Sequence, residues 1–310
     1  MTRVLTWPEI ESALEGVDLV AAMEEAFVAY SEGRAVVPPV GELILEEPRG
    51  EVHIKYGYVK GQPGYVVKIA SGFPGNVARG LPPGQGLMLL FDREDGAPSA
   101  VLLDEGRLTD LRTAAAGAVA AKHLAPPDVQ RIGVLGTGVQ ARMQLDHLRA
   151  VNPCRSVLAW GRDGDRLGAL ITDLGDMGFE AEAAGEPAQI GEACSLIVTA
   201  TASHSPLLEE VRPGTHVTAM GSDTHEKQEL SARLVGAADL VVVDSRDQAA
   251  LRGEAARAVA EGSFDLDNAL ELGDVIGGRG GRTHADQVTI ADLTGVAVQD
   301  LAIARAAAGI

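Results

Sequence analysis

The chain's 310 residues are enough for one large or two medium domains with cores of their own. A formal net charge of −18 argues against a nucleic-acid or anionic-membrane partner. No apolar run approaches transmembrane length, and the N-terminus lacks a basic stretch leading into an apolar core. Cys154 and Cys194 have neither C-x-x-C spacing nor histidine neighbours, so no disulfide and no metal site is expected, and the setting predicted is soluble and cytoplasmic.

In chain order, Pro8 is followed by apolar residues at helical spacing (Ile10, Leu14, Val17, Leu19, Ala22, Ala26, Phe27), which predicts a helix over 8–32. After Val36-Val37-Pro38-Pro39 the pattern turns to strands. Residues 51–58 and 65–71 flank a Gly/Pro-bearing turn and read as an antiparallel hairpin, with further strands at 86–92 and 99–103. An Ala-rich helix over 111–124 ends at Pro126-Pro127. Strands then alternate with helical segments, at about 131–135, 156–160, 179–183, 195–199, 216–220 and 239–243. That alternation predicts an α/β fold with a doubly wound parallel sheet. A last apolar helix, 298–308, follows the alternation and is expected to pack back on the N-terminal part. The domains expected are 1–124 with 297–310, and 125–296.

The most informative segment is Ile132-Gly133-Val134-Leu135-Gly136-Thr137-Gly138-Val139-Gln140-Ala141. A buried strand runs into G-x-G-x-x-A and then a helix, the context that makes this motif a dinucleotide fingerprint. Gly136 permits the tight turn, Gly138 lets the backbone approach a pyrophosphate, and Ala141 lets the helix pack close. The loop residues Thr137, Val139 and Gln140 belong to the same phosphate cradle at a helix N-terminus. About 20 residues on, NAD-binding proteins place an acid on the adenosine ribose. Here the second strand ends Trp160-Gly161-Arg162-Asp163. Arg162 suits a 2′-phosphate, so NADP(H) is favoured over NAD(H). Asp163 is either a displaced ribose acid or the cap of the next helix.

Several segments in order resemble the ornithine cyclodeaminase/mu-crystallin family across essentially the whole chain. They are Val67-Lys68-Ile69-Ala70-Ser71-Gly72-Phe73-Pro74-Gly75-Asn76, Leu108-Thr109-Asp110-Leu111-Arg112-Thr113-Ala114-Ala115, and the glycine loop. Ala219-Met220-Gly221-Ser222-Asp223 with Lys227-Gln228-Glu229-Leu230, and Gly281-Arg282 with Gln287-Val288-Thr289, complete the set. The resemblance implies a Rossmann domain over 125–296 and an antiparallel α+β domain over 1–124 that binds substrate and forms a homodimer. It assigns Lys68 and Arg112 to a substrate carboxylate, with Lys68 also counted among the catalytic groups and Arg112 close to the cofactor. By the same resemblance Thr113 contacts a cofactor phosphate and Thr199-Ala200-Thr201 passes the nicotinamide ribose, with Gly221 beside it. Asp223 is the family's catalytic aspartate, at a strand's C-terminal end where reacting groups gather. The competing reading makes Asp223 the cap of a helix over 227–235.

Two departures bear on the substrate. Nothing from Val40 to Pro48 is basic, where family members often carry a further carboxylate-binding arginine. Lys55 stands where ornithine cyclodeaminases place a glutamate for the distal amine, and a lysine there repels an ammonium. If the hairpin turns at Gly61-Gln62, Lys55 lies directly opposite Lys68, an arrangement that calls for an anion between them. Lys55 then binds an acidic or polar substrate group; the alternative is that it faces solvent or the register is shifted. His225, beside Asp223, is either a proton-transfer aid or a surface residue, while His204, His216 and His284 read as structural or exposed.

The activity expected is an NAD(P)H-dependent oxidoreductase acting on the C–N bond of a small carboxylate-bearing imino or amino acid. Two alternatives stand beside it. One is a redox-neutral ornithine or lysine cyclodeaminase using retained NAD⁺. The other is a non-catalytic NADP-dependent small-molecule binder.

Overall fold

A computed structural model describes residues 1–310, and the chain divides into two compact units. Unit 1 comprises Met1–Arg112 and Val296–Ile310, and unit 2 comprises Thr113–Gly295. The division falls inside an α-helix rather than at the prolines that follow it.

Unit 1 begins with β1 (Arg3–Thr6), α1 (Trp7–Leu14) and α2 (Leu19–Ser31). The single helix expected over 8–32 is therefore two. Gly16, at φ +76°, breaks it, and Asp18 starts α2 by accepting from the Ala21 N–H at 3.0 Å. The short strand β1 was not anticipated. Strands β2 (Ala35–Val36), β3 (Gly41–Leu45), β4 (Gly50–Val59), β5 (Gly64–Gly72), β6 (Gly84–Asp92) and β7 (Pro98–Leu103) follow, then α3 (Arg107–Leu124). The sheet order is β1-β7-β6-β5-β4-β2, with β3 also paired to β4. All pairs are antiparallel except β1 with β7.

Period-two alternation sets the two faces of this sheet. Gly57, Val59, Val66, Met88, Leu90, Ala100, Leu102 and Leu5 point to the buried side. The hairpin turns at Gly61, φ +85°, which pairs Lys55 with Lys68 and puts both on that same side. Neither a solvent-facing Lys55 nor a shifted register is found.

Unit 2 contains β8 (Ile132–Leu135), α4 (Val139–Leu148), β9 (Ser156–Trp160), α5 (Gly164–Asp176), β10 (Glu180–Ala183), α6 (Pro187–Ala193) and β11 (Leu196–Thr199). Then come β12 (His204–Leu208), β13 (His216–Ala219), β14 (Gln228–Leu230), α7 (Ala232–Ala237), β15 (Leu240–Val243), α8 (Arg246–Ala249) and α9 (Gly253–Ala260). The unit closes with β16 (Leu270–Glu271), α10 (Leu272–Ile276) and β17 (Thr289–Asp292). Eight parallel strands run β10-β9-β8-β11-β13-β17-β15-β16, and β12 pairs with β14 apart from them. This is the doubly wound Rossmann sheet, with the order reversing beside β8. Adjacent residues within a strand feed opposite layers. Val134, Val157 and Val198 pack with Leu145, Leu170 and Leu174, while Leu135, Leu158 and Ile197 pack with Ile190, Val217 and Val235. Each such fully buried side chain contributes about 1.5–3 kcal/mol, which fixes strand register by sidedness.

The final helix, α11 (Ala297–Ala308), belongs to unit 1, where it packs on α1, α2 and β4–β7. No helix is long and apolar enough to cross a membrane.

Candidate functional site

The glycine loop lies at the C-terminal end of β8. Gly136 has φ +122°, and a Cβ there would meet the Ala200 carbonyl oxygen at 2.4 Å, so only glycine fits. A Cβ on Gly138 would meet nothing within 4 Å, and Val139 in the next turn is 55% exposed. Arg142 of α4 folds back to donate to the carbonyls of Thr137 (2.8 Å) and Gly138 (3.2 Å) and is itself held by Asp173. That clamp fixes the loop at the N-terminus of α4, where helix N–H groups lack intrahelical acceptors. Gln144 ties Gln140 to this region and donates to the Thr113 carbonyl at 3.0 Å. Open backbone at Gly138 before a helix start fits the diphosphate of a dinucleotide.

At the end of β9, a Cβ on Gly161 would strike the Thr137 methyl at 2.3 Å, so the usual acid position is closed to side chains without a shift. Arg162 beside it is exposed. Asp163 caps α5 by accepting from the Arg166 N–H at 3.0 Å, which makes it a helix cap.

The loops after β11 and β13 are bound together by one carboxylate. Glu229 accepts from the Thr199 hydroxyl (2.6 Å), the Thr201 N–H (2.6 Å) and the Gly221 N–H (2.8 Å). Burial raises its pKa against these hydrogen bonds. Glu254 in turn accepts from the Glu229 and Leu230 N–H groups, and Asp292 from Ala255. Burial pushes Glu254 well above the ordinary carboxylate range and Asp292 up to about 7. Thr199 is fully buried, with its hydroxyl on Glu229 and its carbonyl accepting from the Met220 N–H at 3.1 Å, and Gly221 has no room for a side chain because Thr201 and Glu229 fill it.

Asp223 follows β13 with its side chain 50% exposed and ion-paired to Lys227 at 2.6 Å. Its carbonyl accepts from Arg252 at 3.4 Å. No helix spans 227–235: residues 228–230 form β14, and α7 is capped by Ser231, which accepts from the Leu234 N–H. The helix Asp223 was to cap is therefore not formed. His225 is exposed, its carbonyl accepting from Arg257. His216 is buried between the Thr218 and Thr289 hydroxyls, and desolvation holds its pKa down to about 3. The Gly281-Arg282 motif is a structural clamp, with Arg282 donating to the Leu124 and Gln287 carbonyls.

The second set of candidate residues lies in unit 1. Lys68 is 2% exposed, Lys55 9% and Arg112 7%, all on the inner side of the sheet and its helices. One carboxylate joins two of them: Asp300 Oδ1 accepts from Lys68 Nζ at 3.0 Å and lies 3.2 Å from Arg112 Nε. Arg112 also donates to Gln299 Oε1 at 3.2 Å. Burial pushes the Lys68 pKa down to about 7; Asp300 opposes this, and Arg112 and Lys55 add to it. Burial alone would raise Asp300, but Lys68, Arg112 and Lys55 hold it below the usual carboxylate range. Asp104, just before α3, accepts from the Leu108 N–H at 2.9 Å, and burial raises its pKa.

A family model described as "Ornithine cyclodeaminase/mu-crystallin family" matches residues 1–308. The chain belongs to this family. It is 42% identical to a cyclodeaminase of Sinorhizobium fredii described as uncharacterized, covering 98% of this chain and 94% of that one. It is 35% identical to an iminosuccinate reductase of Paracoccus denitrificans, covering 92% and 89%. Among solved structures, an archaeal alanine dehydrogenase dimer with bound NAD aligns with a TM-score of 0.90 at 33% identity, covering 99% and 94%.

Sequence reasoning gave no role to Asp300, Glu229 or Arg142. Asp300 left one signal, an acid beside Gln299 in the mostly apolar run Val296–Ile303. Glu229 was in view within the Lys227–Leu230 motif, but nothing local reveals which loops its carboxylate joins.

Proposed function

We propose that this protein is an NAD(P)H-dependent oxidoreductase that reduces the C=N bond of a small imino acid carrying carboxylates, the reverse reaction oxidising the amino acid. The buried grouping of Lys55, Lys68 and Arg112 around Asp300 carries the reading. Arg112 and Lys68 hold the substrate's α-carboxylate in one orientation, and Lys55 receives a second acidic or polar group. The glycine loop, Thr113 and the Ala200–Thr201 backbone hold the cofactor. When bound, the reduced nicotinamide supplies the hydride that the imine carbon accepts. Asp223, whose carboxylate Lys227 restrains, takes a proton from solvent and passes it to the imine nitrogen. An excess of buried positive charge means that a dicarboxylate gains more here than a monocarboxylate. Lys55→Glu is expected to lower kcat/KM for a dicarboxylic imino acid by roughly 100-fold, and for a monocarboxylic one by much less. Equal losses on both would remove Lys55 from substrate selection.

NADP(H) is the proposed preference, because Arg162 is exposed at the ribose position while Asp163 is engaged as a cap. Arg162→Ala is expected to lower kcat/KM for NADPH about tenfold or more, leaving NADH nearly unchanged. A variant equally active with both cofactors as before would remove Arg162 from cofactor selection, and wild-type enzyme favouring NADH would assign it to NAD(H), the dinucleotide bound in the archaeal dehydrogenase structure.

The relative from Sinorhizobium fredii favours a second reading, a cyclodeaminase. It requires a group for a distal ammonium, and the buried Lys55 at that position opposes it. The outer face of the unit 1 sheet exposes Val4, Leu43, Ile54, Tyr56 and Leu103. We read this apolar face as covered by a second copy in a homodimer.

A further inference from the structure

An ionised aspartate inside an apolar helix face is costly unless something fixes it there. Asp300 is 0% exposed and sits in the first turn of α11, where the helix dipole favours an anion. Its neighbour Gln299 accepts from the Val296 N–H at 3.0 Å and, with the same oxygen, from Arg112. The start of α11 is therefore built against Arg112 and Lys68. Three atoms of these residues, Asp300 Oδ2, Arg112 Nε and Gln299 Nε2, are buried with no hydrogen bond inside the protein. The charged groups facing Lys68 are Lys55 from β4, Arg112 from α3, Asp104 from the segment before α3, and Asp300 from α11.

We propose that Asp300 is a positioning residue for the carboxylate-binding cations. It orients Lys68 and Arg112 through one oxygen and supplies the negative charge that keeps Lys68 an ammonium ion. The effect on substrate rests on the proposed carboxylate-binding role of Lys68 and Arg112; the effect on Lys68 itself does not.

The sign follows from the charges. Removing Asp300's charge lowers the Lys68 pKa from its value of about 7, so the ammonium is lost at lower pH. Removing Lys55's charge raises it. With 13Cε-labelled lysine, the chain reports only Lys55, Lys60, Lys68, Lys122 and Lys227. In Asp300→Asn the Lys68 titration is expected to move down by about one pH unit or more, and in Lys55→Met it is expected to move up. In activity assays Asp300→Asn should raise the imino-acid KM roughly tenfold above neutral pH, with the gap closing as pH falls. A Lys68 titration unmoved in Asp300→Asn, with only stability lowered, would make Asp300 a mere helix anchor and overturn the proposal. If Asp300→Asn does not fold, the wild-type chain decides. The Asp300 carboxyl resonance must move at the pH where Lys68 titrates, and a resonance blind to that event also overturns it. A shifted Lys68 with no turnover of any imino acid supports the Asp300 assignment and sinks the proposed function instead.

Discussion

Asp223→Asn is expected to cut kcat on a preformed imino acid by about 10²–10⁴-fold, with substrate and cofactor KM values little changed. The variant keeps the side chain's size and an oxygen for Lys227, but removes the carboxylate proposed to relay the proton. Its structural cost is small, because Asp223 is half exposed and pairs with such exposure contribute about 0–1 kcal/mol. A loss of rate in a variant of unchanged stability would therefore be chemical. Steady-state kinetics on a cyclic imino acid, which needs no ammonia, isolates this step. A kcat within about threefold of wild type would remove Asp223 from proton transfer.

Arg112→Leu is expected to lower kcat/KM about 10³-fold, mainly through KM, and to destabilise the folded chain by about 2–5 kcal/mol. Both effects have one cause. Asp300 is fully buried, and the substitution leaves Lys68 as its remaining cation in contact. Lys68 then loses a repelling neighbour, so its pKa rises and the residual activity should extend to higher pH than in wild type. Denaturant unfolding and a pH profile of kcat/KM check the two parts separately. A variant with unchanged KM would show that Arg112 serves the fold alone.

The parts of the molecule that were legible in sequence are those fixed locally. The β4–β5 register followed from the turn at Gly61, and the Rossmann strands from short apolar runs between helical segments. Gly136 declared its backbone demand directly. What stayed hidden depends on contacts far apart in the chain. Asp300 is 232 positions from Lys68, and no periodicity links them. Strand β17 is the last in sequence, yet it enters the sheet between β13 and β15, and only the assembled sheet reveals that slot. The helix expected over 8–32 failed because Gly16 and Asp18 outweigh a helical pattern that continues through them.

The most direct test of the central claim is one assay on anaerobically purified enzyme with NADPH and NADH. It follows loss of the reduced nicotinamide with cyclic imino acids, oxaloacetate plus ammonia, and pyruvate or glyoxylate plus amines, and ammonia release from ornithine in parallel. Net oxidation of reduced cofactor matched by formation of an amino acid is the result expected here. Ammonia released from ornithine by enzyme carrying tightly retained NAD⁺, with no net change in cofactor, would contradict it and make the protein a cyclodeaminase.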